Sequence, residues 1–529
     1  MSRIWIRNAI IYDGTGKPPY TGNVCIEQGR IVQSLSGSPD ETVDASGLCI
    51  APGFIDTHTH SDYCLGYEYN SLSRVSQGIT TQVAGQCGKS VPVRNREMFD
   101  ELTAEYPLLP CPGHDTPKQF ETFKGYLDYV NHLPMVENSA FFIGHGNLRR
   151  WVMGYESRMP TPAEMAQMKS MLAEAMDAGA IGLSSGLIYP PGVYSQIDEM
   201  AELCSVLRRY DGIYTTHIRS EGDRVLEAVN EAIEVAHRSG CRLNISHLKV
   251  CGKNNEGLSK DILMRIDAAR RQGMRISADQ YPYAAGATGL SICIHPRHFT
   301  DGPDVFILRL SDSQYRQMLK DEMRSPPPDF ESPWLSCSGP DGIGIGDCAI
   351  TQDAQGKTLA QYAAKRGLDP FDALFDLIAE NNMEVLGIYH EMNDSDVAEI
   401  IKAPYVLFGC DSAAPYKGTA GHPRTFGTFT RVLGRYCRER RILPMEAAIH
   451  RMTGLAAQTY GFTGKGVVAP GKDADLVLFS REEVLDMATY ENPEICSRGI
   501  EQVWVNGQTV YRNGKLTGAK PGRALLRGC

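Results

Sequence analysis

No apolar run in the 529 residues approaches the roughly 20 residues needed to cross a bilayer. Runs of lysine and arginine are also missing, and the formal net charge of −10 disfavours a general nucleic-acid binder. The sequence has no CxxC pair and an odd count of 15 cysteines, which excludes a disulfide framework or a zinc ribbon. Low-complexity segments and short repeats are absent, which excludes a solenoid. The first residues, Met1-Ser2-Arg3-Ile4-Trp5-Ile6-Arg7, alternate like a strand and lack the long apolar core of a secretion signal. These absences lead us to expect a cytoplasmic protein with no membrane and no nucleic-acid partner, whose ligand is a small molecule.

What is present is a chain long enough for a barrel and a satellite domain. Residues 1–52 read as short strands separated by Gly and Asn turns, and so do residues 461–529. An all-β block at each end of an α/β middle predicts one small β-sandwich domain built from both termini. The middle, 53–460, alternates strands and helices. In Thr161-Pro162-Ala163-Glu164 the spacing is that of a capping box with proline at the first helical position. Met165, Met168, Leu172 and Met176 then form a helical apolar stripe, Gly179 ends it, and a strand begins at Ala180. Eight strands are predicted near 53–58, 79–86, 140–145, 180–185, 213–217, 242–247, 274–279 and 405–410, giving a (β/α)₈ barrel of the TIM type. The stretch 288–350, rich in Pro, Asp, Gly and Ser, reads as an insertion near the active-site face, and Leu386–His390 is a surplus strand-like run.

Polar residues of an unusual kind fall at the C-terminal ends of these strands, where barrel enzymes build their sites. Strand one ends in Asp56-Thr57-His58-Thr59-His60, whose histidines at i and i+2 face one side and can share an ion. Strand two ends in Cys87, strand five in His217, strand six in His247, and strand eight in Cys410-Asp411. A lone His or Cys at a strand end is usually structural, and Cys410 is read that way. Four histidines, Cys87 and Asp411 at one end of the barrel are together the ligand types of zinc.

Several longer segments are specific enough to suggest kinship. Pro52-Gly53-Phe54-Ile55-Asp56-Thr57-His58-Thr59-His60 resembles the opening signature of the amidohydrolase superfamily. Val83–Gly88, Gly182–Pro191, Ser246–Val250, Asp279–Tyr283 and His422–Phe429 resemble its D-aminoacylase branch, the N-acyl-D-amino-acid deacylases. Gly464–Leu476 is similar to the superfamily's return into the terminal β domain. The resemblance implies one tightly held Zn²⁺ on Cys87, His217 and His247, and a second, weaker position on His58 and His60. Cys87 stands where many relatives bridge two metals with a carboxylated lysine or a glutamate. The reaction implied is attack of an activated water on the amide carbonyl, with Asp411 shuttling a proton to the leaving nitrogen. Tyr189 is either an oxyanion donor or a packed barrel-mouth aromatic. Arg424, Lys249 and Tyr281 offer two cations and a hydroxyl to the substrate carboxylate. A serine that helps in family members is replaced here by Ala287, followed by Thr288. The D preference comes from the resemblance alone.

Arg297, clustered with His295 and His298, is either a solvated loop residue or a cation that selects acidic substrate side chains. Three other functions remain open at this level. A cyclic-amide hydrolase of the hydantoinase or dihydroorotase kind would typically carry a carboxylated lysine on strand four. An aminohydrolase of heterocycles would share the His and Asp set but release ammonia. A non-catalytic scaffold would need no ligands at all.

Overall fold

The computed structural model describes residues 3–91 and 120–528, apart from positions 329, 349, 415 and 420. The barrel consists of β1 (Phe54–Asp56), β2 (Ile79–Ala84), β3 (Asn138–Phe141, continued by Ile143–Gly144), β4 (Gly182–Gly186), β5 (Ile213–His217), β6 (Arg242–Ile245), β7 (Ile276–Gln280) and β8 (Val406–Phe408). Neighbouring strands pair in parallel, from β1 through β3 and from β3 through β8. Between β8 and β1 the ring is closed by Thr57 N–H donating to Phe408 O over 3.2 Å and Asp411 N–H donating to His58 O over 2.8 Å. All eight strands fall where the sequence places them.

The strands owe their burial to short polar side chains as much as to apolar ones. β2 reads ITTQVA and is buried throughout. Inside the ring Ser185 donates to Thr216 Oγ1 over 2.8 Å, Thr215 and Ser246 pair at 3.0 Å, and Asn244 donates to Asp279 Oδ2 over 2.6 Å. Small hydroxyls that satisfy one another fill part of the barrel, while Thr80 Oγ1, Thr81 Oγ1 and Gln280 Nε2 on its strands make no hydrogen bond among the described residues.

Helices cover the outside for the reasons legible in the chain. Pro162–Ala178 has the full capping box between Thr161 and Glu164 and buries Met165, Met168, Leu172 and Met176 against the barrel. It stops at Gly179, whose φ of 114° suits a residue without a Cβ. Helices Val225–Ser239 and Ser259–Arg271 repeat the pattern.

The two ends of the chain form one hydrogen-bonded sheet of nine strands. Cys49–Pro52 pairs antiparallel with Leu476–Phe479, stitching the first segment to the last. Ile4, Ile6, Val24 and Ile26 cluster with Leu476, Leu478 and Trp504, so the sheet folds over its own apolar face in the manner of a sandwich.

The interruption of the barrel is longer than composition suggests. Val385–Tyr389, which contains the surplus strand-like run, pairs antiparallel with Gly286–Gly289 and Ile343–Cys348 and lies outside the barrel. Helices Leu359–Arg366 and Pro370–Glu380 share an apolar core with this sheet, centred on Phe306, Tyr362, Leu374 and Tyr389. Residues 351–389 therefore pack with 288–350. Their helices have the capped, amphipathic pattern of any βα unit, so composition could not separate them from the barrel.

Candidate metal centre and substrate cleft

Each candidate ligand leaves its strand just past the C-terminal end. His217 closes β5; His247 and Asp411 follow β6 and β8; Cys87 follows β2; and His58 and His60 follow β1. Cys87, His247 and Asp411 adopt left-handed backbone conformations, with φ of 53°, 34° and 49°. Such conformations cost of the order of 1–3 kcal/mol each and are held only where the surroundings over-determine them. Close backbone contact supplies that constraint. A Cβ on Gly186 would lie 2.2 Å from Cys87 O, and one on Gly409 would lie 2.5 Å from His58 Cβ.

The side chains converge. Cys87 Sγ lies 3.3 Å from His58 Nε2 and 3.3 Å from His247 Nε2. Asp411 Oδ1 lies 3.4 Å from His58 Nε2 and 3.1 Å from His60 Nε2. Donor atoms of His58, Cys87, His247 and Asp411 fall within 4.8 Å of one another, and those of His217, Glu221 and His247 form an adjoining group of the same size. His247 thus belongs to both neighbouring ligand sets. Neither ring nitrogen of buried His217 makes a hydrogen bond, and Glu221 Oε2 lies 3.6 Å from its Nε2. A buried imidazole with both nitrogens unsatisfied, beside a thiol and two further imidazoles, fits a thiophilic divalent ion.

Electrostatics point the same way. Burial opposes ionisation of Cys87, but the charges of His58 and His247 outweigh it and hold the thiol well below its ordinary value. Burial is likewise overcome at Asp411, chiefly by Arg424, His247 and His58, so its carboxyl lies well below the usual carboxylate range. His58 is lifted despite burial by Asp279, Cys87 and Asp411. A thiolate and carboxylates among protonated imidazoles are the groups whose protons a metal displaces.

Two acidic residues that the sequence reading left without roles orient the ligands. Asp279 Oδ1 lies 3.1 Å from His58 Nδ1 and accepts the His247 backbone N–H over 2.7 Å. Glu221 Oε1 lies 3.0 Å from His247 Nδ1 and also pairs with Lys249. His247 Nδ1 is held by Glu221 and, at 2.7 Å, by Lys249 Nζ, which leaves Nε2 facing Cys87. The only sequence signal for Glu221 is its position four residues after His217; Asp279 sat unused in a quoted motif.

Three candidates for the substrate carboxylate stand together. Arg424 Cζ lies 4.7 Å from the Tyr281 ring centroid and Lys249 Nζ lies 5.6 Å from it. Arg424 donates to Ala287 O over 3.0 Å. Tyr189 packs edge-on to His217 at 5.0 Å and shares a 2.9 Å hydrogen bond with Thr288, the hydroxyl beside Ala287. Arg297 is not brought to this group. It stands on the wall of the cleft with its side chain 54% exposed, ion-paired to Glu322, which also engages His298. Arg297 thus lines the cleft already paired, a position that both the solvated-loop and the substrate-cation readings allow.

The ligand cluster opens into a cleft of about 1380 Å³ among the described residues, walled on one side by the inserted segment. A barrel with this donor set at its mouth defines a metal-dependent hydrolase of the amidohydrolase type. The amidohydrolase family profile matches residues 41–289 and 339–511, leaving out part of the insertion. The chain is 36% identical to the N-acyl-D-aspartate deacylase of Alcaligenes xylosoxydans xylosoxydans, covering 99% of this chain and 95% of that protein. It is 34% identical to the D-aminoacylase of the same organism, over 98% and 96%. The crystal structure of N-acyl-D-glutamate deacylase from Bordetella bronchiseptica, complexed with zinc and a phosphonate inhibitor, superposes with a TM-score of 0.81 at 32% identity over 99% of each chain. The chain belongs to the amidohydrolase family, in its branch of D-aminoacylases and N-acyl-D-amino-acid deacylases. Among the described residues no helix is long and apolar enough to cross a membrane.

Proposed function

We propose that the protein hydrolyses the amide bond of N-acyl-D-amino acids, releasing a carboxylic acid and a free D-amino acid, with zinc as its metal. The observation that carries this reading is the Cys87 thiolate, which lines the cleft among His58, His247 and Asp411, with Arg424 paired to Asp411 and both Arg424 and Lys249 beside Tyr281. Cys87, His217 and His247 would hold one tightly bound ion, with His58 and His60 as a weaker second position. When bound, zinc acidifies a water and polarises the amide carbonyl. Asp411, ionised and within reach of both strand-one histidines, takes the water's proton and returns it to the leaving nitrogen. Arg424 and Lys249 anchor the substrate carboxylate, with Tyr281 as a third donor. Tyr189, packed edge-on to His217, would donate to the oxyanion.

The reading favours an acyclic amide over a cyclic one. Two buried cations beside the ligand cluster suit a free carboxylate, which an unsubstituted hydantoin or dihydropyrimidine lacks. The test is turnover of paired N-acetyl-D- and N-acetyl-L-amino acids by zinc-loaded protein, followed by amine release, with metal content measured alongside. Free amine from the D series supports the proposal. Ammonia from heterocycles, or hydrolysis confined to cyclic amides, would overturn it.

A further inference from the structure

Several cations in and beside the cleft are matched within the protein. Arg219 lies 2.9 Å from Glu231, Arg224 lies 3.6 Å from Glu331, Lys249 is paired to Glu221 and Arg297 to Glu322. Glu391 is different. It follows the strand Val385–Tyr389 and is half-buried in the cleft lining, yet no described cation lies within 4.0 Å of it. Its partners are uncharged: Ser336 Oγ–H donates to Oε2 over 2.5 Å, and the Cys337 thiol lies 3.9 Å from the same oxygen. Burial and the nearby charge of Glu221 lift this carboxyl to about 7, against the hydrogen bond from Ser336 and the more distant charge of Lys249.

The other oxygen faces the substrate group. A Cβ on Gly286 would lie 3.8 Å from Glu391 Oε1 and 3.7 Å from Tyr281 Oη. The missing side chain of Gly286 thus leaves an opening bordered by the two residues. Gly252 N–H donates to Glu391 O over 2.7 Å, which fixes the Glu391 backbone beside the loop that carries Lys249. A substrate held through its carboxylate by Arg424 and Lys249 has its side chain within reach of this opening.

We propose that Glu391 is a specificity-determining residue that receives the positive charge of a basic substrate side chain, so that the cleft favours N-acyl-D-lysine, N-acyl-D-ornithine or N-acyl-D-arginine. The inference rests on the deacylase reading above and deepens it. An ammonium or guanidinium group paired with Glu391 would supply the cation that the protein does not, and desolvated pairs of this kind discriminate strongly against a neutral chain of equal length.

The test compares kcat/KM for N-acetyl-D-lysine, N-acetyl-D-norleucine and N-acetyl-D-glutamate in the zinc-loaded wild type, Glu391→Gln and Glu391→Lys. Lysine and norleucine share a four-carbon chain, so their ratio isolates the charge. We expect the wild type to prefer lysine over norleucine by about tenfold or more, the value of one charge-assisted hydrogen bond. Glu391→Gln should bring that ratio close to unity, and Glu391→Lys should turn the preference toward glutamate. A lysine-to-norleucine ratio unmoved in both variants, with turnover retained, would overturn the role of Glu391 and leave the deacylase reading standing. No turnover of any N-acyl-D-amino acid by the zinc-loaded wild type would overturn both.

Discussion

Arg424 Nη1 lies 2.8 Å from Asp411 Oδ2. The residue proposed to clamp the substrate carboxylate is therefore bound, before substrate arrives, to the residue proposed to move the proton. A substrate carboxylate competes with Asp411 for this guanidinium, so anchoring and proton transfer are coupled through one side chain.

Arg424→Met should therefore do two things. It should lower kcat/KM by a few kcal/mol, because a charged partner is left unmatched in a buried site. Neutralising the substrate carboxylate as an amide should cost a similar amount in wild type and much less in the variant, as interacting partners require. The substitution should also move the acidic limb of the kcat/KM profile to higher pH. Burial raises the Asp411 carboxyl and Arg424 is the foremost charge lowering it, so without Arg424 the base is protonated, and activity lost, at a higher pH. Additive losses together with an unshifted acidic limb would separate the two residues.

Asp411→Asn should keep metal and fold but lower kcat by about 10²–10⁴, the usual worth of a positioned acid–base group. Metal content and circular dichroism check the first half, and steady-state kinetics the second. A variant within a few-fold of wild type would assign the proton to another group.

Chelation should abolish turnover, and zinc should restore it. Cys87→Ala, His217→Ala and His247→Ala should each deplete bound zinc after dialysis, measured by elemental analysis, while His60→Ala should lose less. His60 makes its one hydrogen bond to Asp411 and lies at the edge of the cluster. Full zinc occupancy with undiminished activity in Cys87→Ala would remove the thiolate from the ligand set.

Arg297→Ala should change the ratio of kcat/KM for N-acetyl-D-glutamate and N-acetyl-D-leucine by less than about twofold, since an exposed, already paired cation contributes little. A glutamate preference that collapses in this variant would show that substrate displaces Glu322.

The barrel and its ligands were readable because each ligand sits at a strand end that hydrophobic pattern and glycine punctuation locate within a few residues. His58, Cys87, His217, His247 and Asp411 needed no long-range information beyond the order of the strands. Glu221 and Asp279 were harder, since their importance lies in which imidazole they touch, and acidic residues on loops are ordinarily solvated. At Arg297 a basic triplet in a loop does not disclose that Glu322, a helix away, pairs with it. Glu391 was invisible because it becomes part of the cleft only when Val385–Tyr389 joins the sheet of the insertion, a pairing between distant segments that periodicity does not encode.

The antiparallel stitch between Cys49–Pro52 and Leu476–Phe479 imposes an order on assembly. During synthesis the ribosome delivers β1, with His58 and His60, almost first, while the strand that anchors its leading edge arrives almost last. The segment carrying the strand-one histidines can pair with β2 early, but its other edge stays open until nearly the whole chain has emerged. Strands β4 through β6, with His217 and His247, pair with neighbours close in the chain and can settle earlier. Deleting residues 476–479 should then injure a catalytic floor at the opposite end of the gene, although those residues touch neither metal ligand nor substrate.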